Sequence, residues 1–302
     1  MDKEAGEDEK KSAALSSVLA ACFLTTLKVI VGVMTGSLGI LAEAAHSGLD
    51  FVAAIVTYIA VRASGKPADR DHPYGHGKIE NFSALVETML LLLTCAWIMR
   101  EAVHRLAAKS VNVDASIWGF AILVISIAVD VTRSRMLYRV AAKHQSQALE
   151  ADALHFSTDI WSSAVVVVGL LGVKVASWYP GLAFLQKADA VAALLVAAIV
   201  IGISFKLGMA SIHALMDGTP EGATEKIQAA VEAIEGVCDC HAIRVRRAGP
   251  RYFVDMHVSM EGGQTLEWAH GIADKVESAV QETFPEADVT VHAEPKHCVE
   301  NP

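Results

Sequence analysis

Apolar residues run in long, nearly unbroken blocks from about residue 13 to 212. Each block matches the ~20 residues that a helix needs to cross a ~30 Å hydrocarbon core. The blocks predict six spans, over about 13–35, 38–63, 79–106, 114–140, 148–175 and 188–212, preceded by a polar tail over 1–12. After Asp217-Gly218-Thr219-Pro220 the pattern changes. Residues of about 220–235 and 265–283 have helical period, whereas AIRVRRAG, YFVDMHVSM and ADVTVHAE alternate as strands. The order αββαβ predicts a small α+β domain over 213–302, with two helices on one face of a short sheet. The expected fold class is therefore an α-helical membrane protein of six transmembrane helices plus a soluble C-terminal α+β domain.

Composition agrees: 53% of the 302 residues are hydrophobic, only 20% are charged, and the mean hydropathy is +0.39. The net charge of −9 sits largely in DKEAGEDEKK and in the C-terminal third. With no basic tract, nucleic acid is excluded as a partner, and an acidic surface raises the local concentration of cations. The cysteines (Cys22, Cys95, Cys238, Cys240 and Cys298) show no framework of spacings, which predicts a reduced, cytosol-facing tail domain with structural thiols. The acidic N-terminus lacks the features of a signal peptide, so the first span is expected to be retained. An even number of spans puts both termini on one side. The loops after spans two and four hold Arg62, Lys66, Arg70, Lys78, Arg133, Arg135, Arg139 and Lys143, against Arg100, Arg105, Lys109, Lys174 and Lys187 opposite. That bias predicts cytoplasmic termini.

Two polar pairs interrupt the apolar pattern. LAEAAHSGLD places His46 and Asp50 four residues apart in span two, and ALHFSTD repeats the spacing with His155 and Asp159 in span five. Residues four apart project from one helix face, so each pair alone is equally a local contact. Ionisable groups at bilayer depth cost about 2.5 kcal/mol or more each, however, and four of them at a repeated spacing call for a compensating role. Two imidazoles and two carboxylates facing each other make a four-coordinate site of the kind Zn²⁺ prefers.

Other polar positions read less singly. Asp69, His72 and His76, within a Gly/Pro-containing loop, are either solvated groups or a second, exposed cation site. Lys28 either snorkels or pairs with an acid such as Glu43, and Glu87 is either a packing contact or part of a cation path. Asp130 and Arg133 are spaced for an i,i+3 pair, and Asp189 for a helix cap. In the tail, His241, His257, His270, His292 and Glu294 are either ligands for one or two further ions or a solvated surface. No HExxH motif is present, which argues against a membrane metalloenzyme. A membrane-anchored metal sensor is the rival class.

The segments GSLGILAEAAHSGLD, PADRDHPYGHGKIE and ALHFSTD, with the tail histidines, closely resemble the cation diffusion facilitator family over about residues 13–295, and within it the bacterial zinc and iron efflux branch. The resemblance implies a homodimeric, proton-coupled exporter of divalent metals in the bacterial inner membrane, with a ferredoxin-like tail domain. It implies a transport site at His46, Asp50, His155 and Asp159, a loop site at Asp69, His72 and His76, and a tail site between protomers at His241, His257, His270, His292 and Glu294. It further implies a dimer lock at Lys78 and Asp217 and a hydrophobic gate residue at Leu154. The chain departs from the branch at His46, where Asp is common, and at Glu294, where the last ligand is commonly Asp. Imidazole in place of carboxylate softens the site, so Zn²⁺ is expected as cargo and as tail ligand, with Fe²⁺, Co²⁺, Ni²⁺ and Cd²⁺ as alternatives, and Mn²⁺ or Fe²⁺ as the rival main substrate.

Overall fold

The computed structural model describes residues 2–36, 38–107, 117–178, 185–285 and 287–296. The chain divides into two compact units, Met1–Ser211 and Ile212–Pro302. The first holds six long helices: α1 (Asp2–Thr35), α2 (Leu38–Ser64), α3 (Lys78–Ala107), α4 (Ile117–His144), α5 (Gln147–Trp178) and α6 (Leu185–Leu215). Among the described residues, stretches of α1, α2, α3 and α6 are long and apolar enough to cross a membrane. Helices α4 and α5 turn polar groups inward, among them Asp130, Arg133, Ser134, Asp152, His155 and Thr158, all buried. Leu19, Phe23, Val33, Leu49, Ile59, Leu93, Leu195 and Ile199 are exposed, which suits an outer surface that meets hydrocarbon rather than water.

Close helix packing relies on small residues. Ala13, Ala14, Ala141, Ala148 and Ala153 are buried together with Val61, Leu137, Leu149 and Phe156, so α1, α2, α4 and α5 approach one another without large side chains between them. Leu154 of α5 packs with Leu91 and Cys95 of α3 and Val200 of α6. The α1–α2 reversal is made by Gly36, at φ 64°.

The acidic N-terminus, expected as a polar tail over 1–12, instead continues α1 from Asp2. No proline interrupts it, and several of its charges from Glu7 onward are paired. Lys10, 2% exposed, reaches Glu7 at 2.7 Å and Glu80 at 3.1 Å, and Glu9 meets Lys143 and His144. Glu80, fully buried at the start of α3, also accepts from Ser64 at 2.8 Å and from Ser146, while neighbouring Asn81 donates to Gln147. These bonds tie the adjoining ends of α1, α2, α3 and α5 together and set the register of α3 against α5.

The second unit follows the expected order: α7 (Ala223–Glu232), β1 (Val237–Ala248), β2 (Arg251–Glu261), α8 (Leu266–Thr283) and β3 (Asp288–Lys296). The sheet order is β1-β2-β3, antiparallel between β1 and β2 and parallel between β2 and β3. Both helices bury one residue per turn, Ala223, Ile227 and Val231 on α7 and Ile272, Val276 and Val280 on α8. These meet Val245, Val254, Met256 and Val258 on one face of the sheet. Thr265 caps α8 by accepting from the Trp268 amide at 3.2 Å. Gly236, at φ 98°, sits in the left-handed region that favours glycine, and a Cβ there would crowd Ile272 at 3.0 Å and Trp268 at 3.1 Å. Ile227 is wholly buried, so Ile227→Ala is expected to cost the domain about 2–5 kcal/mol, read as lost hydrogen-exchange protection across β1 and β2.

Cys238 is disulfide-bonded, whereas Cys22, Cys95 and Cys240 are free thiols. Cys298 lies outside the described residues. Cys240 points into the core, where burial pushes its thiol up to about 11. The cap expected at Asp189 lies outside the described side chains.

Candidate metal centres

The two HxxxD pairs of α2 and α5 converge. His155 Nε2 lies 3.0 Å from Asp50 Oδ1 and 3.8 Å from Asp159 Oδ2, and His46 Nε2 lies 3.8 Å from Asp159 Oδ1. Donor atoms of His46, Asp50 and Asp159 all fall within 4.8 Å of one another. Donors bound at about 2.0 Å to a tetrahedral ion stand about 3.3 Å apart, so these separations bracket the edge of such a site. His155 and Asp50 are buried, whereas His46 and Asp159 are partly open to a polar cavity also lined by Lys28, Glu43, Ser47, Asp130 and Arg133.

The structure resolves two of the open readings around this cavity. Lys28 pairs with Glu43 at 3.3 Å and donates to Ser47 at 2.7 Å, one residue from His46. Asp130 and Arg133 do not form the expected i,i+3 ion pair. The guanidinium of Arg133 instead crosses to α1, where Nε donates to Ser17 at 2.8 Å, and lies 3.3 Å from the Phe156 ring centroid. Ser17 in turn donates to Asp152 at 2.7 Å. Asp152, which sequence reasoning passed over, is buried three residues before His155, and that spacing on a helix already carrying a candidate ligand was the available signal.

In the α2–α3 loop, Asp69 gathers both histidines: Oδ1 lies 3.1 Å from His72 Nδ1 and Oδ2 lies 3.3 Å from His76 Nε2. Asp69 Oδ1 also accepts from the amides of His72 at 2.7 Å and Asp71 at 3.0 Å. The His72 amide holds the Asp69 carboxyl below its ordinary range, so it is ready as an anionic ligand.

The sheet of the tail aligns three histidines. His241 pairs with His257 across β1 and β2, and His257 with His292 across β2 and β3. Glu294 closes the group: Oε1 lies 2.8 Å from His257 Nδ1 and 3.8 Å from His292 Nε2, and Oε2 lies 3.3 Å from His241 Nε2. The hydrogen bond from His257 holds the Glu294 carboxyl below its ordinary range. Asp239, another residue missed in the sequence, stands 3.1 Å from His241 Nδ1. His270 remains apart on α8, 3.8 Å from Asp274 and largely exposed. Asp217 accepts from Arg246 at 3.4 Å within the tail unit.

Two imidazoles and two carboxylates held inward on α2 and α5, within a set of long apolar helices, are the kind of arrangement a membrane protein that moves cations needs. The chain belongs to the cation efflux family: its residues 14–216 match the family's transmembrane domain and residues 219–296 its cytoplasmic domain. It is 33% identical over 288 residues to the cation-efflux pump FieF of Yersinia enterocolitica, covering 94% of this chain and 92% of that one. Against FieF of Serratia proteamaculans the identity is 30% over 286 residues, with the same coverage. A solved chain of CzrB (Zn form) is 32% identical and covers 26% of this chain and 92% of its own, with a TM-score of 0.25.

Proposed function

We propose that this chain exports Zn²⁺ from the cytoplasm in exchange for protons, as a homodimer in the bacterial inner membrane with both termini cytoplasmic. The observation that supports this most is the pairing of two imidazoles with two carboxylates at tetrahedral-edge distances. Nitrogen-rich tetrahedral sites suit Zn²⁺ better than hard, higher-coordinate Mn²⁺. Coupling follows from the same atoms. The 3.0 Å contact between His155 and Asp50 needs a proton between the two groups, whereas a metal needs both lone pairs. Proton and metal therefore compete for one place, and a site that takes protons facing outward gives them up as cytosolic metal binds. Leu154, packed beside His155 among Leu91, Cys95 and Val200, serves as the gate residue. Lys78 and Asp217 are proposed to lock the dimer.

Proteoliposome uptake tests the reading: Zn²⁺ flux is expected to rise with an imposed proton gradient, and flux indifferent to the gradient overturns it. In the same assay His46→Asp, which restores a third carboxylate, is expected to gain Cd²⁺ or Mn²⁺ transport relative to Zn²⁺. An unchanged metal profile would move selectivity away from His46.

The tail and loop groups are proposed to sense metal rather than carry it. His241, His257, His292 and Glu294 of one chain, joined by His270 of the second copy, would bind Zn²⁺ between protomers and draw the two tails together. His257→Ala is expected to abolish zinc-dependent tail compaction, measured by energy transfer between labelled tails in the intact dimer. Glu294 is held below the ordinary carboxylate range by its hydrogen bond from His257, so it stays an anionic ligand. Zinc-dependent compaction should weaken on acidification, because protons compete with the metal for ligand lone pairs.

A further inference from the structure

Strand β1 holds a short stretch whose faces are inverted relative to the rest of the strand. A regular strand points successive side chains to opposite faces. In β1 the odd-numbered Val237, Ile243 and Val245 pack into the core beneath the two helices, so regular alternation would send Asp239 and His241 there as well. Two irregularities in the pairing with β2 prevent this, one between Val237 and Asp239 and one between His241 and Arg244. Each adds one residue to β1. Val237 and Asp239 face the adjacent Met260 and Ser259, and the three steps from His241 to Arg244 span the two from His257 to Asp255. Between the two bulges Cys240, 2% exposed, takes the core position, and Asp239 and His241 turn to the open face beside His257 and Glu294.

The inversion is held against strain. Ala242, the residue after His241, has φ 52°, in the left-handed region that a residue with a Cβ rarely enters. Such strain persists where the surrounding structure imposes it, and it gathers at functional positions. Because the first bulge falls before Asp239, the carboxylate comes out together with the imidazole. Asp239 Oδ2 then lies 3.1 Å from His241 Nδ1, while the other ring nitrogen, Nε2, lies 3.3 Å from Glu294 Oε2. Donor atoms of His241, His257 and Glu294 all fall within 4.8 Å of one another, which fits a shared ion. Lys296, at the end of β3, donates to Asp239 Oδ2 at 3.5 Å. A carboxylate oxygen that already faces an ammonium and an imidazole nitrogen is a poor cation ligand but a good brace.

We propose that Asp239 is a positioning residue of the tail metal site: it accepts the Nδ1 hydrogen of His241, fixes the ring's orientation and tautomer, and presents the Nε2 lone pair to an ion shared with His257 and Glu294. The proposal rests on the reading of the tail as a zinc site. A ligating imidazole commonly gives its second nitrogen to a carboxylate, which orients the ring and makes it a better electron donor. Here Lys296 anchors that carboxylate from β3, the strand that also carries Glu294. The ring of His241 is therefore held at both nitrogens, and the two bulges of β1 are what bring the brace and the ligand to the same face.

The test is the Zn²⁺ concentration at the midpoint of energy transfer between labelled tails of the intact dimer, measured as a double-mutant cycle. Asp239→Ala is expected to raise the midpoint about 10- to 100-fold, and Asp239→Asn, which keeps an acceptor oxygen, to recover part of that loss. In a His241→Ala background there is no ring to orient, so Asp239→Ala is expected to move the midpoint less than about twofold. A direct ligand, or a residue that merely supports the strand, would weaken binding in both backgrounds, and that result overturns the proposal. So does an unchanged midpoint with His241 in place. Should His241→Ala abolish the zinc response, nitrogen-15 resonances of the His241 ring in the zinc-loaded dimer decide: Asp239→Ala is expected to lose the hydrogen fixed on Nδ1, and a ring left unaltered overturns the proposal. If wild type shows no zinc-dependent transfer, the tail reading itself falls and takes the role of Asp239 with it, an outcome distinct from any difference between variants.

Discussion

Asp159→Ala is expected to lower zinc flux at least about hundredfold while the protein still folds and assembles. Asp159 stands 3.8 Å from both His46 and His155, so it is the carboxylate that links the two helical pairs. Its loss leaves three donors and removes the counter-charge from two imidazoles at once. The remaining set cannot close a tetrahedron from the protein alone. Folding should survive, because the side chain faces a cavity rather than the packed cluster around Leu137, Leu149 and Phe156. Proteoliposome uptake gives the flux, and thermal unfolding in detergent gives the fold. Flux within a few-fold of wild type would mean that the pairs are not the transport site.

The second large effect concerns stability. Glu80→Ala should destabilise the membrane unit by about 3 kcal/mol, because it strands the Lys10 ammonium, 2% exposed, with Glu7 as its remaining carboxylate partner. It also deprives Ser64 and Ser146 of their common acceptor. Removing both charges together, as Lys10→Met with Glu80→Leu, should recover part of the loss, since no ammonium is then stranded, while Glu7 loses its Lys10 partner. Thermal unfolding of the two variants in detergent checks the sign: a double variant no better than Glu80→Ala would show that the hydroxyl contacts, not the ion pair, carry the stability.

What could be read from the residues depended on how local the interaction was. The HxxxD pairs were legible because four residues on one helix share a face, whatever surrounds them. Which carboxylate each histidine meets was not, and His155 reaches across to Asp50 on α2 at 3.0 Å, closer than to Asp159 on its own helix. The same limit explains Arg133. Local spacing pointed to Asp130, but Ser17 and Phe156, distant in sequence, hold the guanidinium. The N-terminus looked like a solvated tail since its partners Glu80, Lys143 and His144 lie far along the chain. In the tail, strand alternation and helical period gave the order of elements directly. The alignment of three histidines required the pairing register, including the irregularity between His241 and Arg244.

That alignment makes the tail's candidate cation ligands a gauge of strand placement. His257 points away from the face where its neighbours Met256 and Val258 are buried. A slip of β2 by one residue would send His257 into the oil and bring a methionine or valine to the ion. Any metal affinity of this cluster would therefore be inherited from the hydrophobic core: a mutation there that loosens the register would silence the proposed sensor without touching a single candidate ligand, and a bound ion would in return pin the strands against sliding.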